Sequence, residues 1–291
     1  MTQIRMLKSV RRPLLASIAA ALLAACATQP AAPPAIPPVA EPPIGDLLQA
    51  QAVTVAALSP DDPGIIALAR AVAGADLVSF EGGGPSYRES AALKSALTEA
   101  LVQSGRAGLV ILDIPCDGAA VLDTYASGTA TSGLAADLVR EAPIPESQKS
   151  AALADLLMLL RGWNAVNADR PVRVAGMHCT QAGEGDPGQT ALFWGLDQLP
   201  AHTGEKAMAA AARKYGEPAE NHVWIVQTDD AALSGILPGS GWIDLRALPQ
   251  SADGVAWQQE MAQTVPLVRP GHPSSADILF RHAGMTPEAP F

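Results

Sequence analysis

The chain has 291 residues and a formal net charge of −10, and 48% of its residues are hydrophobic and 16% charged. This composition is typical of a globular protein, since disordered chains contain fewer apolar and more charged residues. The acidic balance argues against nucleic acid and anionic lipid headgroups as partners, because both repel a negative surface. We therefore expect a globular domain that binds no nucleic acid.

Residues 1–25 have the three parts of a secretory signal peptide. A basic head is followed by an apolar run over residues 14–23 and then by small residues at the expected cleavage site. The apolar run is shorter than the roughly 20 residues that a membrane-spanning helix needs. The basic residues of the head are Arg5, Lys8, Arg11 and Arg12, and their removal leaves a mature chain with a charge of about −14.

The segment Leu23-Ala24-Ala25-Cys26 resembles the signal of bacterial lipoproteins, which reads Leu, small, small, Cys. The resemblance implies cleavage before Cys26, a diacylglycerol on its sulfur and an acylated amino terminus carrying chains such as palmitate. Two or three acyl chains anchor firmly, because each buried methylene contributes roughly 0.8 kcal/mol. Ala27 follows in place of Asp, which by analogy with lipoproteins implies the outer membrane of the bacterial envelope, with the protein facing the periplasm. The alternative is an ordinary cleaved signal with a coincidental cysteine.

Residues 26–45 form a proline-rich linker before the folded part. Prolines occupy positions 30, 33, 34, 37, 38, 42 and 43. Such a segment favours an extended polyproline conformation or a disordered spacer. We therefore divide the chain into a signal peptide (1–25), a linker (26–45) and one domain (46–291).

Apolar runs alternate with helical patterns along the domain. Alternation of this kind predicts an α/β fold, with a mostly parallel sheet flanked by helices in a single domain. Predicted helices cover residues 90–103, 149–164 and 205–215, and predicted strands cover residues 75–80, 108–112, 172–177, 222–226, 242–245 and 277–280.

Polar residues follow four of the predicted strands. They are Glu81, Asp113, His178 and either Asp229 or Asp230. Ligands of open α/β sheets bind beyond the carboxyl ends of the strands. These residues are therefore candidates for a shared site, although any single strand-end acid is more often a loop or cap residue.

A glycine-rich loop, Gly82-Gly83-Gly84, follows the first of these strands. Such a loop before a helix can turn backbone N–H groups toward an anion, or it can be a simple tight turn. Ser86 and Glu89 fit a capping box at the start of the following helix.

Cys116 and Cys179 each lie a few residues past a predicted strand. If the two strands are neighbours in a parallel sheet, both thiols lie at the same edge. An oxidising compartment then favours a disulfide between them. The alternative is two buried free thiols.

Residues 75–291 resemble the erythromycin-esterase-like proteins in a series of ordered motifs. Residues 160–165, which read Leu-Arg-Gly-Trp-Asn-Ala, are similar to the family's Leu-Arg-x-Tyr-Asn-x. The other segments that carry the resemblance are 78–84, 109–113, 122–128, 172–178, 243–246 and 277–287.

The resemblance implies a metal-free hydrolase of esters or lactones, in which a histidine oriented by a glutamate acts as general base on water. Glu81 is present, but Gly84 stands where the histidine is expected. Residues 227–230 read Gln-Thr-Asp-Asp in place of the family's His-Asn-x-His. We therefore expect a pseudoenzyme that binds a small molecule or a periplasmic protein, with little or no hydrolase activity and no cofactor or metal.

Two alternatives remain open from the sequence. The first is an active hydrolase with His178 as the base and Glu81 and Asp113 orienting water, with Asp230 as a further candidate. The second is a haem-binding lipoprotein, for which Tyr87, Tyr125 and His178 are the candidate axial ligands. The remaining histidines lack metal-ligand spacing, and whether His282 approaches the strand ends is open.

Overall fold

An eight-stranded mixed sheet organises the computed structural model, which describes residues 44–81, 87–129, 133–176, 190–194, 222–247 and 277–287. The strands are β1 (Val53–Thr54), β2 (Leu77–Glu81), β3 (Ala107–Leu112), β4 (Arg173–Gly176), β5 (Thr190–Trp194), β6 (His222–Thr228), β7 (Gly241–Asp244) and β8 (Ile278–Arg281). The helices are α1 (Ile44–Gln51), α2 (Pro63–Val72), α3 (Arg88–Gln103), α4 (Cys116–Ala126), α5 (Ala135–Glu141) and α6 (Ala151–Val166).

The strand order across the sheet is β1-β7-β8-β6-β2-β5-β3-β4. The six strands from β8 to β4 run parallel to one another, whereas β7 pairs antiparallel with both β8 and β1. The prediction of an α/β fold with a mostly parallel sheet is therefore confirmed. All described residues belong to one compact unit.

Burial on both faces explains why the central strands are apolar along their whole length. Every residue of β3 is buried, as expected for a parallel strand covered on both sides. Val110 and Leu112 point to the face that packs against α2, α3, α4, α5 and α6. A smaller apolar cluster joins β6, β7 and β8 to α1 and includes Leu48, Trp224 and Ile243.

The predicted strands and two of the predicted helices are confirmed to within a few residues. The sequence did not predict α1, α2, α4, α5, β1 or β5. Strand β5 lies between β2 and β3, so that the two earliest predicted strands are not neighbours. The predicted helix over 205–215 lies outside the described residues.

The predicted capping box at the start of α3 is wrong. The residue before the helix is Tyr87, whose side chain makes no capping hydrogen bond. The Glu89 carboxylate instead accepts a hydrogen bond from the Thr286 N–H at 2.6 Å. Tyr87 also forms a β-bridge with Pro287, so that the segment after β8 runs along the first turn of α3.

None of the helices in the described part of the chain combines the length and the apolarity needed to cross a membrane.

Candidate functional site

The carboxyl ends of the six parallel strands lie on one side of the sheet, which we call the carboxyl edge. Strand β2 ends there at Glu81, Asp113 follows β3, and Asp229 and Asp230 follow β6. The structure therefore brings these predicted residues to one edge. Only the backbone of Glu81 is described.

The intervening strand β5 separates two of the predicted residues. Because neighbouring strands lie about 4.8 Å apart, the ends of β2 and β3 are about 10 Å apart across the sheet. Glu81 and Asp113 therefore stand on either side of the end of β5. Strand β4, which precedes His178, pairs with β3. His178 and Gly82, Gly83 and Gly84 themselves lie outside the described residues.

The two acids after β3 and β6 differ in how they are held. Asp113 is buried. The backbone of Asp230 is fixed on both sides, because its N–H donates to Thr228 Oγ1 at 3.1 Å and its carbonyl accepts from Arg281 Nε at 3.1 Å. Arg281 Nη1 also donates to the carbonyls of Leu237 and Gly239 at 2.8 and 3.1 Å. Arg281 therefore fixes the loop after β6 by binding its backbone.

His282 lies at the carboxyl edge directly after β8, which settles the question that the sequence left open. Its side chain is fully buried, and Nε2 lies 2.9 Å from Gln227 Oε1. Burial lowers the pKa of His282 to about 4, although the nearby carboxylates of Glu89 and Asp229 oppose the shift. The ring is therefore neutral at pH 7, with Nε2–H donating to Gln227 and with Nδ1 lacking a hydrogen-bond partner among the described residues.

A cavity lies on the helical face of the sheet, close to the carboxyl ends of β3 and β5. It is lined by Ala91, Lys94, Leu112, Gln148, Ser150, Leu153 and Trp194. Leu112 and Trp194 are the last residues of their strands, and Ser150 caps α6 by accepting from the Leu153 N–H at 3.1 Å. The cavity is thus bounded by strand ends and by the amino terminus of a helix.

One face of α3 beside this cavity is both polar and buried. Ser90, Lys94 and Thr98 follow one another at four-residue intervals and are exposed to 0, 3 and 0%. Thr98 Oγ1 accepts from Trp194 Nε1 at 3.2 Å and donates to the carbonyl of Lys94 at 2.7 Å. Ser90 Oγ has no partner among the described residues. A buried lysine is rare, which makes Lys94 the most unusual polar residue in this region.

His222 lies at the opposite edge, at the start of β6. Its Nε2 is 2.8 Å from Ser79 Oγ, and burial lowers the pKa of the ring to about 4. His222 is half-buried and belongs to the start of the strand, so that it takes no part in the carboxyl edge.

Residues 160–165 help to hold the fold together at the opposite edge of the sheet, the amino edge. The Asn164 carboxamide donates to the carbonyls of Ala126 and Val172 at 3.0 and 2.9 Å, and it accepts from the Val172 N–H at 2.7 Å. The Arg161 guanidinium lies 4.6 Å from the centre of the Tyr125 ring. Asn164 and Arg161 therefore join α6 to α4 and to the start of β4.

Two of the three candidate haem ligands are far apart. Tyr87 begins α3 beside the segment after β8, whereas Tyr125 lies in the last turn of α4, close to the start of β4. They belong to opposite edges of the sheet and cannot ligate one iron together. Among the described residues, no group of three or more His, Cys, Asp or Glu side chains is arranged to hold a metal.

Cys116 begins α4 directly after β3 and is disulfide-bonded. The other two cysteines, Cys26 and Cys179, lie outside the described residues. The condition for the predicted pairing is met, since β3 and β4 are parallel neighbours. The pairing of Cys116 with Cys179 stays a prediction.

Lys94 and His282 were not predicted as site residues, although the sequence around each of them indicates an unusual position. Lys94 stands between Leu93 and Leu97 on the apolar face of a predicted helix, where a charged residue is unexpected. His282 comes shortly after a predicted strand, as Glu81 and Asp113 do.

Comparison with known proteins extends only to the fold. No family model matches the chain, and neither does any curated protein. A crystal structure of a Bacillus cereus protein is similar, with a TM-score of 0.59 and 13% sequence identity over 85% of this chain and 98% of that one. At this identity the similarity shows a shared single-domain α/β fold.

Proposed function

We propose that this chain is a lipid-anchored protein of the bacterial envelope whose α/β domain binds a small molecule at the carboxyl edge and has little or no hydrolase activity. The observation that carries the proposal is a cavity at the carboxyl ends of β3 and β5, on the same edge of the sheet as Asp113, Asp230 and His282. Such edges are where α/β sheets bind ligands. The proposal includes a common origin with the erythromycin-esterase-like proteins, which the sequence resembles.

The chemistry of the edge supports binding over hydrolysis. A general base works best when its pKa is near the operating pH. His282 is neutral but has a pKa of about 4, so that it is a weak base. It is also fully buried behind Gln227. These features suit a hydrogen-bonding group in a preformed site.

A thermal-shift screen of polar metabolites on the full chain, purified in detergent, tests the binding proposal. We expect at least one compound to raise the melting temperature saturably. Replacement of the buried Asp113 by Asn should weaken the binding of that compound, whereas Asp117→Asn in the exposed first turn of α4 should not. Equal binding of the compound by both variants would show that it does not bind at the carboxyl edge.

The second candidate function is a metal-free ester or lactone hydrolase with His178 as the base. The parallel pairing of β3 and β4 favours it, because the chain that leads to His178 emerges beside Asp113. A panel of esters and lactones distinguishes the two functions. We expect no turnover above the buffer rate, and turnover that is lost in His178→Ala would establish the hydrolase instead.

A further inference from the structure

We propose that side chains of α4 and α6 close the outer edge of β4, the side that faces away from β3, against pairing with β4 of a second copy of this chain. The feature that points to it is the binding of backbone groups of Val172 and Val174 by side chains instead of by a strand. This surface lies beyond the last strand, so that its role does not depend on a ligand at the carboxyl edge.

Strand β4 is the last strand on its side of the described sheet, where its strand neighbour is β3. An edge strand presents a row of backbone N–H and C=O groups that can pair with a strand of another molecule. A second copy of the chain offers the same edge, and two such edges can meet about a two-fold axis. The outer edge of β4 is therefore the place where copies of this sheet would join.

Two side chains take the positions that a ninth strand would take. The Asn164 carboxamide on α6 accepts from the Val172 N–H at 2.7 Å and donates to the Val172 carbonyl at 2.9 Å. Asp123 on α4 accepts from the Val174 N–H, with 2.8 Å between the nitrogen and Oδ1. Residues two apart in a strand offer their backbone groups to the same side. The two side chains therefore cover consecutive pairing positions of one edge.

The Arg173 guanidinium orients the Asp123 carboxylate against the strand. Arg173 Nε lies 3.0 and 3.1 Å from Oδ1 and Oδ2, and Nη2 also donates to Oδ2. Two N–H groups on one carboxylate fix its direction. The Arg173 side chain is 48% exposed, and ion pairs that reach solvent contribute little to stability. The main effect of this pair is therefore to position the acceptor for the Val174 N–H.

The opposite edge of the sheet is protected in another way. Strand β1 has only two residues, and a β-carbon added to Gly64 at the start of α2 would clash with the Thr54 carbonyl oxygen. A short edge strand and a helix packed against it both prevent pairing with another chain. Strand β4 is the longer of the two edge strands, so that its protection depends on side-chain acceptors.

Co-capture of two differently tagged full chains, mixed in excess detergent, tests the proposal. We expect Asp123→Ala to capture its partner copy at least about tenfold more than the wild type does. The reason is that a backbone donor without an acceptor shifts an equilibrium by about this factor. Asp123→Asn keeps an acceptor oxygen for the Val174 N–H and should equal the wild type. Asp137→Ala removes an exposed carboxylate paired with Arg140, controls for the lost charge and should also equal the wild type.

A second substitution locates the contact. Proline is tolerated on edge strands where its missing N–H faces outward. Asp123→Ala combined with Val174→Pro should therefore return the capture to the wild-type level. Asp123→Leu removes the acceptor while keeping the bulk of the side chain, and it covers the case in which Asp123→Ala does not fold. Circular dichroism shows which variants are folded.

Capture by folded Asp123→Ala or Asp123→Leu that does not exceed that of the wild type would overturn the proposal. Capture that persists in the combined variant would also overturn it, since the copies would then meet away from the outer edge of β4. An equal increase in Asp137→Ala or in Asp123→Asn would assign the association to the lost charge and would refute the role of the Val174 N–H.

Discussion

Asn164 joins three parts of the chain through a single carboxamide. It is 6% exposed and makes hydrogen bonds to the end of α4 and to both backbone groups of Val172 before β4. Loss of the side chain would leave these backbone groups buried and unpaired. Buried polar groups of this kind are costly to leave without partners.

We predict that Asn164→Ala lowers the free energy of unfolding by about 3 kcal/mol. Urea denaturation of the full chain measures this change. Asn167→Ala is the matched control, since the Asn167 side chain is only partly buried and donates one hydrogen bond, to the Trp163 carbonyl. It should cost less than about 1 kcal/mol. A similar cost for both variants would contradict the role assigned to Asn164.

Two buried histidines predict how stability depends on pH. Burial lowers the pKa of His222 and of His282 to about 4, below the value near 6.5 expected in the unfolded chain. The unfolded state therefore binds more protons than the native state as the pH falls from about 6.5 to about 4. The contribution of these histidines to the free energy of unfolding should be fully present above this pH range. It should be lost as the pH falls through the range, by on the order of 3 kcal/mol for each ring.

Urea unfolding at several pH values between about 7 and about 4 tests this prediction, because this range covers the pKa values of both histidines in the folded and unfolded states. The slope of the unfolding free energy against pH should become shallower in His222→Asn and in His282→Asn, and shallower still in the double variant. Slopes that equal the wild-type slope in all three variants would show that other groups cause the acid sensitivity.

At the scale of elements, α2 shows how one side chain starts a helix and fixes the loop before it. Asp62 Oδ1 accepts from the Gly64 N–H at 2.8 Å, and Oδ2 accepts from the N–H groups of Ala56 and Ala57 at 3.1 and 2.8 Å. Pro63 occupies the first helical position, where its missing N–H is harmless. The buried carboxylate thus satisfies three backbone donors.

Asp62→Ala should therefore lower the free energy of unfolding by about 2 kcal/mol. The neighbouring Asp61 is exposed, and Asp61→Ala should change stability by no more than about 0.5 kcal/mol. Thermal unfolding of both variants measures the difference. Equal melting temperatures would show that the cap contributes nothing to the native state.

The sequence predicted most of the strands because parallel strands are apolar along their length. Residues 107–112 and 222–228 stand out as buried runs for this reason. Strand β5 was missed because no helical pattern precedes it in the sequence to mark a crossover. Its place between β2 and β3 depends on long-range pairing, which local periodicity does not encode. The roughly 10 Å between the ends of β2 and β3 could therefore not be foreseen.

The candidate site was predicted in outline only. The rule about strand ends placed Asp113 and Asp230 at the correct edge, because it depends on topology alone. Lys94 was missed because the helical pattern predicts which apolar residues of α3 are buried and gives no indication for a charged one. The Lys94 side chain nevertheless lies on the buried face of the helix. Which polar residues face one cavity depends on how helices pack on the sheet.

At the scale of the whole molecule, we propose that the domain works while tethered to a membrane through Cys26. Replacement of Cys26 by Ser removes the sulfur that would carry the diacylglycerol, and we expect the variant to move from the membrane fraction to the soluble periplasmic fraction. Acyl chains supply the proposed attachment, since the acidic surface repels anionic headgroups. A variant that stays in the membrane pellet would contradict the anchor.

We propose above all that a small molecule binds at the carboxyl edge of the parallel sheet. Hydrogen–deuterium exchange of the full chain, with and without a compound that stabilises it in the thermal-shift screen, tests this claim most directly. We expect slower exchange in the segments after β3, β6 and β8 and in the first turns of α3 and α6. Protection confined to the amino edge, around His222 and Val172, would contradict it.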